Sequence, residues 1–261
     1  MARRIAVANQ KGGVGKTTTS VNLAASLAAD GARTLLIDLD PQGNATMGSG
    51  VDKNDLSASA YEWLVDDEPF DRVVRRSTGE FSLVPANADL TAAEVELLAA
   101  EDRTLRLRRR LDVAPALDFV LIDCPPSLNV LTLNALMASD GVLIPMQCEY
   151  YALEGLTALL LTIRGVRQRG NPGLAIEGIL RTMYDPRNTL SRDVSRQLMA
   201  YFGQDVFRTV VPRNVRLAEA PSHGLPATVY DPRCRGALAY RALAGELRSR
   251  TAARGEQQDS A

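Results

Sequence analysis

Near its N-terminus the chain reads Gln10-Lys11-Gly12-Gly13-Val14-Gly15-Lys16-Thr17-Thr18, between a short aliphatic run and a longer amphipathic one. A glycine-rich segment between a strand and a helix is typical of a phosphate-binding loop, or P-loop. Its glycines let backbone N–H groups turn toward a polyphosphate, and the N-terminus of the following helix adds a favourable dipole. We therefore predict that residues 11–18 bind the phosphates, with Lys16 on the β- and γ-phosphates and the Thr17 hydroxyl on Mg²⁺.

The loop departs from the general pattern G-x-x-x-x-G-K-[S/T], because position 10 is glutamine where that pattern has glycine. It matches the variant form K-G-G-x-G-K-[S/T], whose additional lysine is Lys11. Only three of the 30 basic residues are lysines, and two of the three lie in this loop. This placement indicates a need for a compact ammonium group, because a planar guanidinium would not fit among the phosphates.

Aspartates follow two apolar runs that read as buried parallel strands. Asp123 ends the run Phe119–Ile122 and has the placement of a Walker-B carboxylate, which binds Mg²⁺ through a coordinated water. Asp38 and Asp40 also leave a strand end, and in a parallel sheet that end lies on the same rim as the P-loop. We expect their side chains to reach Mg²⁺ or an attacking water. Either aspartate alone could simply cap a turn, so the prediction depends on their combination with the P-loop.

The rest of the chain alternates short aliphatic runs with amphipathic helical stretches. This alternation predicts an α/β fold, a doubly wound and mostly parallel sheet with helices on both faces. A length of 261 residues suits one such domain, which we place at residues 1–250, followed by a polar flexible tail at 251–261. The small, polar segment from Gly43 to Gly50 predicts a loop, and Trp63 is expected in the core.

Composition excludes several classes of protein. No apolar stretch approaches the ~20 residues that span a bilayer. The three cysteines, Cys124, Cys148 and Cys234, are far apart in the sequence, which excludes a CxxC metal or iron–sulfur site. A single histidine rules out an all-histidine metal site. These observations predict a soluble cytoplasmic protein.

The distribution of charge is uneven although the net charge is only −1. From residue 164 onward the chain has 16 arginines against 9 acidic residues, an excess of +7. This excess predicts a DNA-facing surface or reflects chance placement of surface arginines. Arg187 and Arg216 are our candidates for phosphate contacts, and the alternative is that they form local ion pairs with Asp185 and Glu219. The other basic run, residues 106–110, is interpreted as a solvated helix face.

These residues together resemble the ParA family of chromosome- and plasmid-partitioning ATPases, in its chromosomal (Soj-like) branch. The resemblance covers nearly the whole chain and is carried by Asn9–Asn22, Leu36–Thr46, Phe119–Asn134, Pro145–Thr157 and Val211–Gly224. Variant P-loops also occur in other enzymes, whereas the stretches at 147–155 and 212–222 are much more specific to this family.

The resemblance implies that two ATP-bound subunits form a face-to-face homodimer. Lys11 of each subunit would then reach the partner's ATP, and Gly12 would lie at the close interface. It also implies that Asp40 positions the hydrolytic water and that Asp38 supports Mg²⁺ and a switch region. Met183, Pro212 and Asn214 match positions where the family builds its adenine pocket.

The same resemblance implies a cytoplasmic, nucleoid-associated switch. Its ATP-bound dimer would bind double-stranded DNA without sequence preference, and a ParB-type centromere-binding protein would stimulate weak ATP hydrolysis and release the dimer. No membrane partner is expected.

Two alternatives share the variant P-loop. A membrane-cycling ATPase like MinD needs an amphipathic C-terminal helix that ends in bulky apolar residues, whereas residues 251–261 are polar here. A metabolic ligase related to dethiobiotin synthetase needs a second substrate pocket. Liposome co-sedimentation and an ATPase assay with and without DNA separate these alternatives from the partitioning switch.

Overall fold

Eight strands form one sheet in the computed structural model, which describes residues 2–150 and 152–259. The strands are β1 Arg3–Val7, β2 Thr34–Asp38, β3 Arg75–Arg76, β4 Ser82–Val84, β5 Phe119–Asp123, β6 Gly141–Gln147, β7 Ala175–Tyr184 and β8 Val206–Pro212. They lie in the order β3-β4-β2-β5-β1-β6-β7-β8, and only the short edge strand β3 runs antiparallel to its neighbour. The predicted mostly parallel sheet is therefore confirmed.

Helices connect the strands on both faces. They are α1 Lys16–Ala29, α2 Asn44–Gly48, α3 Ala60–Leu64, α4 Phe70–Val73, α5 Leu90–Ala99, α6 Arg106–Asp112, α7 Val130–Ala138, α8 Ala152–Arg169, α9 Thr189–Phe202, α10 Val215–Glu219, α11 Ala227–Tyr230 and α12 Arg235–Asp259. Short 3₁₀ turns occupy Gly203–Asp205 and Ala220–His223. None of the described helices is both long and apolar enough to cross a membrane.

Alternate residues of the central strands pack into two separate hydrophobic cores, one on each face of the sheet. On β5, Val120 and Ile122 pack into a core that includes Trp63 and the buried sides of α7 and α8, whereas Leu121 packs on the opposite face against α1 and α12. Since side chains of a strand alternate between faces, both faces of a parallel sheet must be covered by helices. The buried position of Trp63 confirms its prediction as a core residue.

Two local predictions differ from the structure. The segment from Gly43 to Gly50 contains α2, because Gly43 adopts a left-handed conformation (φ 61°) and Asp38 accepts the otherwise unpaired Thr46 N–H. Strand β8 was not predicted at all, since its polar residues Arg208 and Thr209 interrupt the apolar run of an outer strand.

The C-terminal helix is longer than the sequence indicated. Helix α12 continues through Asp259, so residues 251–259 of the segment predicted as a tail are helical, and residues 260 and 261 lie outside the described residues. Near its end, Arg254 donates to the buried carboxylate of Glu177 over 2.7 Å. The flexibility of this segment stays a prediction.

Candidate nucleotide-binding site

The P-loop joins β1 to α1 and is held in shape by the chain itself. Gly13 and Gly15 have positive φ angles of 72° and 87°, a region that side-chain-bearing residues rarely adopt. The buried Thr182 hydroxyl, at the end of β7, donates to the Val14 carbonyl over 2.7 Å. The Asn9 side-chain amide donates a hydrogen bond to the Pro145 carbonyl over 2.8 Å. The loop is thus preorganised, and the N-terminus of α1 lies at its end.

Lys16 lies in the first turn of α1 and is buried. Its ammonium group donates to the Lys11 carbonyl over 3.4 Å. Burial lowers the pKa of Lys16, and the negative charge of Asp123 opposes that shift. A desolvated ammonium of this kind gains a strong interaction when a phosphate oxygen replaces its weak carbonyl contact.

Asp123, at the end of β5, is fully buried and receives hydrogen bonds from two hydroxyl groups of α1. Thr17 donates to one carboxylate oxygen and Ser20 to the other, each over 2.8 Å. Burial raises the pKa of Asp123, and the neighbouring charge of Asp38 raises it further. The structure therefore brings together Thr17 and Asp123, two of the three residues predicted to hold Mg²⁺; the third is Asp38.

Asp38 pairs with Asp123 across β2 and β5 and is also fully buried. It accepts from the Thr46 N–H and the Thr46 hydroxyl, both over 2.8 Å, and from the Asp40 N–H over 3.1 Å. Burial raises the pKa of Asp38. Thr46 also accepts from the Ala86 N–H, so its hydroxyl links Asp38 to the segment after β4.

Two neighbouring buried carboxylates next to a threonine hydroxyl suit a divalent cation, since oxygen donors are what Mg²⁺ prefers and its charge would offset their desolvation. No cluster of three or more acidic, histidine or cysteine side chains that could hold a metal occurs among the described residues. A magnesium ion would therefore take its remaining ligands from phosphate oxygens and water, as is usual at phosphate sites.

A cavity of about 700 Å³ opens above the P-loop. Its lining includes glycines 12, 13 and 15, Lys16, Thr17, Thr18 and Asp40 on the phosphate side. Asp40 accepts from the Gln42 N–H over 3.0 Å, and the Gln42 carbonyl accepts from Lys53 over 2.7 Å. Lys53, the third lysine of the chain, thus stabilises the conformation of the segment that carries Asp40.

The far side of this cavity is lined by Met183, by residues 220–222 and by Leu225. Met183 has a positive φ of 48°, which is unusual for a residue with a side chain. Pro212 pairs with Tyr184 across β7 and β8, and the Asn214 side chain caps α10 by accepting from the Arg216 N–H. Neither Pro212 nor Asn214 is among the residues that line the cavity. Their contact with adenine stays a prediction.

Lys11 and Gly12 lie at the outer rim of the loop. The Lys11 ammonium forms an ion pair with Glu149 over 2.5 Å, and both side chains are about 40% exposed. Gly12 has no positive φ, and a Cβ added to it would meet nothing within 4 Å. The fold of a single chain therefore gives no reason for glycine at this position.

The two arginines proposed for DNA contacts follow β7 and β8 at the same end of the sheet. Arg187 is paired with Asp185 over 2.8 Å and holds the pKa of that carboxyl down to about 2. Arg216 is paired with Glu219 over 2.7 Å. These are the local ion pairs considered as the alternative. Their exposure, 89% for the Arg187 side chain and 51% for that of Arg216, makes each pair weak and open to competition by a phosphate.

Sequence reasoning missed three hydroxyl residues of the site, Ser20, Thr46 and Thr182. Only Ser20 left a usable signal, because it lies three residues after Thr17 and hence on the same face of α1. Thr46 and Thr182 act through contacts between distant segments, which no local pattern reports.

Comparison with known proteins agrees with this geometry. Residues 2–176 match the model of a family described as "AAA domain". The chain is 53% identical to the sporulation initiation inhibitor protein Soj of Bacillus subtilis, over 95% of this chain and 98% of that protein. It is 54% identical to the chromosome-partitioning ATPase Soj of Thermus thermophilus, over 95% and 96% of the two chains.

A similar structure has also been solved. A protein from Mycobacterium smegmatis described as cobyrinic acid a,c-diamide synthase, crystallised with bound ADP and magnesium, is 41% identical to this chain. It superposes with a TM-score of 0.83 over 94% of this chain and 93% of that one. The description of this neighbour as a synthase differs from the names of the two sequence relatives.

Proposed function

Because the chain belongs to the ParA/Soj family of chromosome-partitioning ATPases, we propose that it is an ATP-driven switch for DNA segregation. In this proposal two ATP- and Mg²⁺-bound subunits form a face-to-face dimer that binds double-stranded DNA without sequence preference. A ParB-type centromere-binding partner stimulates the weak hydrolysis and so releases the dimer. The protein acts in the cytoplasm on the nucleoid, without a membrane partner.

One observation carries this proposal. The P-loop has a second ammonium group, that of Lys11, held at the exposed rim by Glu149, next to a glycine that the chain's own fold does not require. A phosphate site within one chain already has Lys16, so the additional cation and the open space at Gly12 are best explained by a second subunit. Hydrolysis then depends on dimerisation, because part of the positive charge comes from the partner.

The chain's own groups would divide the work of phosphoryl transfer. Lys16 and the loop N–H groups bind the phosphate oxygens, and Thr17 with Asp123 and Asp38 would hold Mg²⁺, which supplies charge neutralisation when it is bound. Asp40, on the cavity wall, positions the attacking water and accepts its proton. Positioning and electrostatics, rather than covalent chemistry, carry such a reaction.

DNA binding should require ATP and should be lost in Gly12→Val. We expect the parent protein to bind a fluorescent duplex in ATP and much less in ADP or without nucleotide. A Cβ at position 12 meets nothing within 4 Å in the monomer, whereas a valine side chain there would clash at a close subunit interface. The variant should therefore bind a fluorescent ATP analogue and remain monomeric by light scattering.

The dimerisation measurement and the DNA-binding measurement test different parts of the proposal. A Gly12→Val protein that forms an ATP-dependent dimer of normal mass would contradict the face-to-face geometry. Equal DNA affinity of the parent in all three nucleotide states would contradict the switch itself.

Arg187→Ala and Arg216→Ala should weaken DNA binding and flatten its dependence on salt. Each substitution removes two phosphate contacts per dimer, so the negative slope of log affinity against log salt should become shallower by roughly two. The loss should be the same for two unrelated duplexes, because phosphate contacts carry no sequence information.

Arg76→Ala provides a matched control for these arginines. Arg76 is also exposed and ion-paired, with Glu80, but it lies on β3 at the opposite edge of the sheet. If both test variants keep the affinity and slope of the parent while still forming the ATP-dependent dimer, the DNA surface lies elsewhere. Arginines 192, 196 and 213 are then the next candidates.

A membrane-cycling role like that of MinD is disfavoured by the packing of α12. Its apolar residues Tyr240, Leu243 and Leu247 are all at most 1% exposed and pack on the core beside α1. Leu238, at 51% exposed, is the one large apolar side chain that the described part of this helix presents to solvent, which is too little for an amphipathic membrane-binding face.

A synthase role, as the description of the Mycobacterium structure suggests, needs a second substrate next to the γ-phosphate. Two further cavities, of about 360 and 490 Å³, share no lining residue with the nucleotide cavity. The partitioning relatives are also more similar in sequence, at 53% and 54% identity against 41%. ATP turnover stimulated by DNA alone, without any carboxylic acid substrate, would separate the two functions.

A further inference from the structure

Lys53 is the one lysine of this chain that lies outside the P-loop. This half-buried residue donates through its ammonium group to the Gln42 carbonyl over 2.7 Å, two residues after Asp40. Asp40 and Gln42 line the nucleotide cavity, whereas Lys53 does not. We propose that Lys53 is a positioning residue for ATP hydrolysis, which fixes the turn that carries Asp40 and thereby sets the rate of water attack.

The residues from Asp40 to Gly43 form a tight turn that determines where the Asp40 carboxylate points. The Gly43 N–H donates to the Asp40 carbonyl over 2.9 Å, and the Gln42 N–H donates to the Asp40 side chain over 3.0 Å. An aspartate that accepts from the N–H two residues further on forms an Asx-turn, in which side chain and backbone hold each other. The orientation of this carboxylate therefore depends on the backbone of the turn staying in place.

Lys53 holds the second half of this turn from outside. Its ammonium group binds the Gln42 carbonyl, its backbone N–H donates to the Met47 sulfur over 3.5 Å, and its aliphatic stem crosses Gly43. A Cβ added to Gly43 would lie 2.9 Å from the Lys53 Cδ and 2.6 Å from the Ala86 carbonyl oxygen, which is too close for either. One residue therefore contacts the end of the turn, its glycine and the helix α2 that follows.

The contact with Gln42 suits a single compact donor. The half-buried Arg75 on β3 is different, because its planar guanidinium donates to the carbonyls of residues 72, 73 and 74 and to the Ser57 hydroxyl. Lys53 forms no ion pair within the part of the chain that the structure describes, and the carboxylate of the adjacent Asp52 accepts from Asn54 instead. The ammonium group of Lys53 is thus directed at one carbonyl and not at a carboxylate.

Helix α2 itself has other contacts that hold it. Asp38 accepts from the N–H and the hydroxyl of Thr46, and the Thr46 hydroxyl accepts from the Ala86 N–H. Loss of the Lys53 ammonium group should therefore leave α2 in place and loosen only the turn before it.

A looser turn should slow hydrolysis without weakening the binding of ATP. A group that accepts a proton from water acts only within hydrogen-bond reach of it, and a misplacement of about 1 Å costs on the order of 10²-fold in rate. The loop glycines and Lys16, which face the phosphates, form no contact with Lys53. This step rests on the water-positioning role proposed for Asp40.

The test compares Lys53→Met with the matched control Arg75→Met. Methionine keeps an unbranched stem beside Gly43 and removes the ammonium group. Arg75 is also half-buried and also donates to backbone carbonyls, but it does not line the nucleotide cavity. Each variant is titrated with a fluorescent ATP analogue, weighed by light scattering in ATP, and assayed for single-turnover hydrolysis.

We expect Lys53→Met to hydrolyse ATP about tenfold to a hundredfold more slowly than the parent. Its affinity for the ATP analogue should stay within about twofold of that of the parent, and its ATP-dependent dimer should persist. Arg75→Met should match the parent in all three measurements. Slower hydrolysis by Arg75→Met to the same degree would contradict a specific role for Lys53.

Combination with Asp40→Asn shows whether Lys53 acts through Asp40. If it does, Lys53→Met should change the residual rate of Asp40→Asn by no more than about twofold, because residues that act as one unit are not additive. A loss of folded protein would lower the rate equally in both backgrounds. A full effect of Lys53→Met in the Asp40→Asn protein would therefore overturn the positioning role.

The outcomes also separate this inference from the role proposed for Asp40. If Asp40→Asn hydrolyses ATP as fast as the parent, the water-positioning role fails, and the role of Lys53 fails with it. If Asp40→Asn is slow while Lys53→Met turns over normally, only the role of Lys53 is overturned. Weaker ATP binding by Lys53→Met with a normal rate at saturation would also overturn it, in favour of a direct contact with the nucleotide.

Discussion

Replacement of Lys16 by alanine should abolish ATP binding at the concentrations where the parent is saturated. Lys16 is buried at the P-loop with only a 3.4 Å contact to a carbonyl, so its ammonium is available for the β- and γ-phosphates. Truncating one partner of a buried charge pair costs about 2–5 kcal/mol, on the order of 30- to 5000-fold in affinity. Titration with a fluorescent ATP analogue measures this loss directly.

Two controls separate phosphate binding from folding. Burial lowers the pKa of Lys16, so the fold gains little from this charge, and Lys16→Ala without nucleotide should melt no lower than the parent. Lys16→Arg keeps the positive charge but should also bind poorly, because a planar guanidinium does not fit where a compact ammonium is enclosed. A Lys16→Ala protein with the ATP affinity of the parent would remove the basis of the P-loop assignment.

The phosphate side of the site was predictable because its signals are local. The bounds of α1 follow from Gly15 before it and Gly31 after it, and the helix spans Lys16–Ala29 in the structure. Asp38 and Asp123 follow continuous apolar runs, so a parallel sheet places both on the rim beside the P-loop. The sequence spacing and the parallel sheet both place these aspartates beside the P-loop. Their positions could therefore be predicted without knowledge of contacts between distant segments.

The rest of the site depends on contacts between distant segments. The Thr46 hydroxyl joins Asp38 to the Ala86 N–H, 40 residues away, and so holds α2, in a segment that the sequence predicts as a loop, to the segment after β4. Thr182 holds the P-loop from 168 residues away. Periodicity and composition cannot report such bonds, which is why the sequence identified the carboxylates but not the hydroxyl groups that orient them.

These bonds also suggest why the Asp40 segment can act as a switch. Its backbone N–H donates to Asp38, its side chain accepts from Gln42, and Lys53 holds the Gln42 carbonyl. Every one of these contacts is local and lies at the edge of the nucleotide cavity. If the proposed switch operates, we expect a change in the charge at the phosphate position to reach this segment first, and then α2, which follows it.

Asp40→Ala should bind ATP and form the dimer but hydrolyse ATP very slowly. Asp40 lines the nucleotide cavity but is not required for the loop glycines, Lys16 or Thr17 to contact phosphates. Loss of a group that positions water and accepts its proton lowers the rate by on the order of 10²–10⁴-fold. Single-turnover hydrolysis measures the rate, and light scattering should show an ATP-dependent dimer that outlasts that of the parent.

Asp40→Asn distinguishes this catalytic role from a role in loop shape. The asparagine carbonyl can still accept the Gln42 N–H that Asp40 accepts over 3.0 Å, so the segment should keep its conformation. An amide, however, does not accept a proton from water, so Asp40→Asn should hydrolyse ATP as slowly as Asp40→Ala. Recovery of the parent rate in Asp40→Asn would show that Asp40 only shapes the loop, and normal turnover by Asp40→Ala would assign the water-positioning role to another residue.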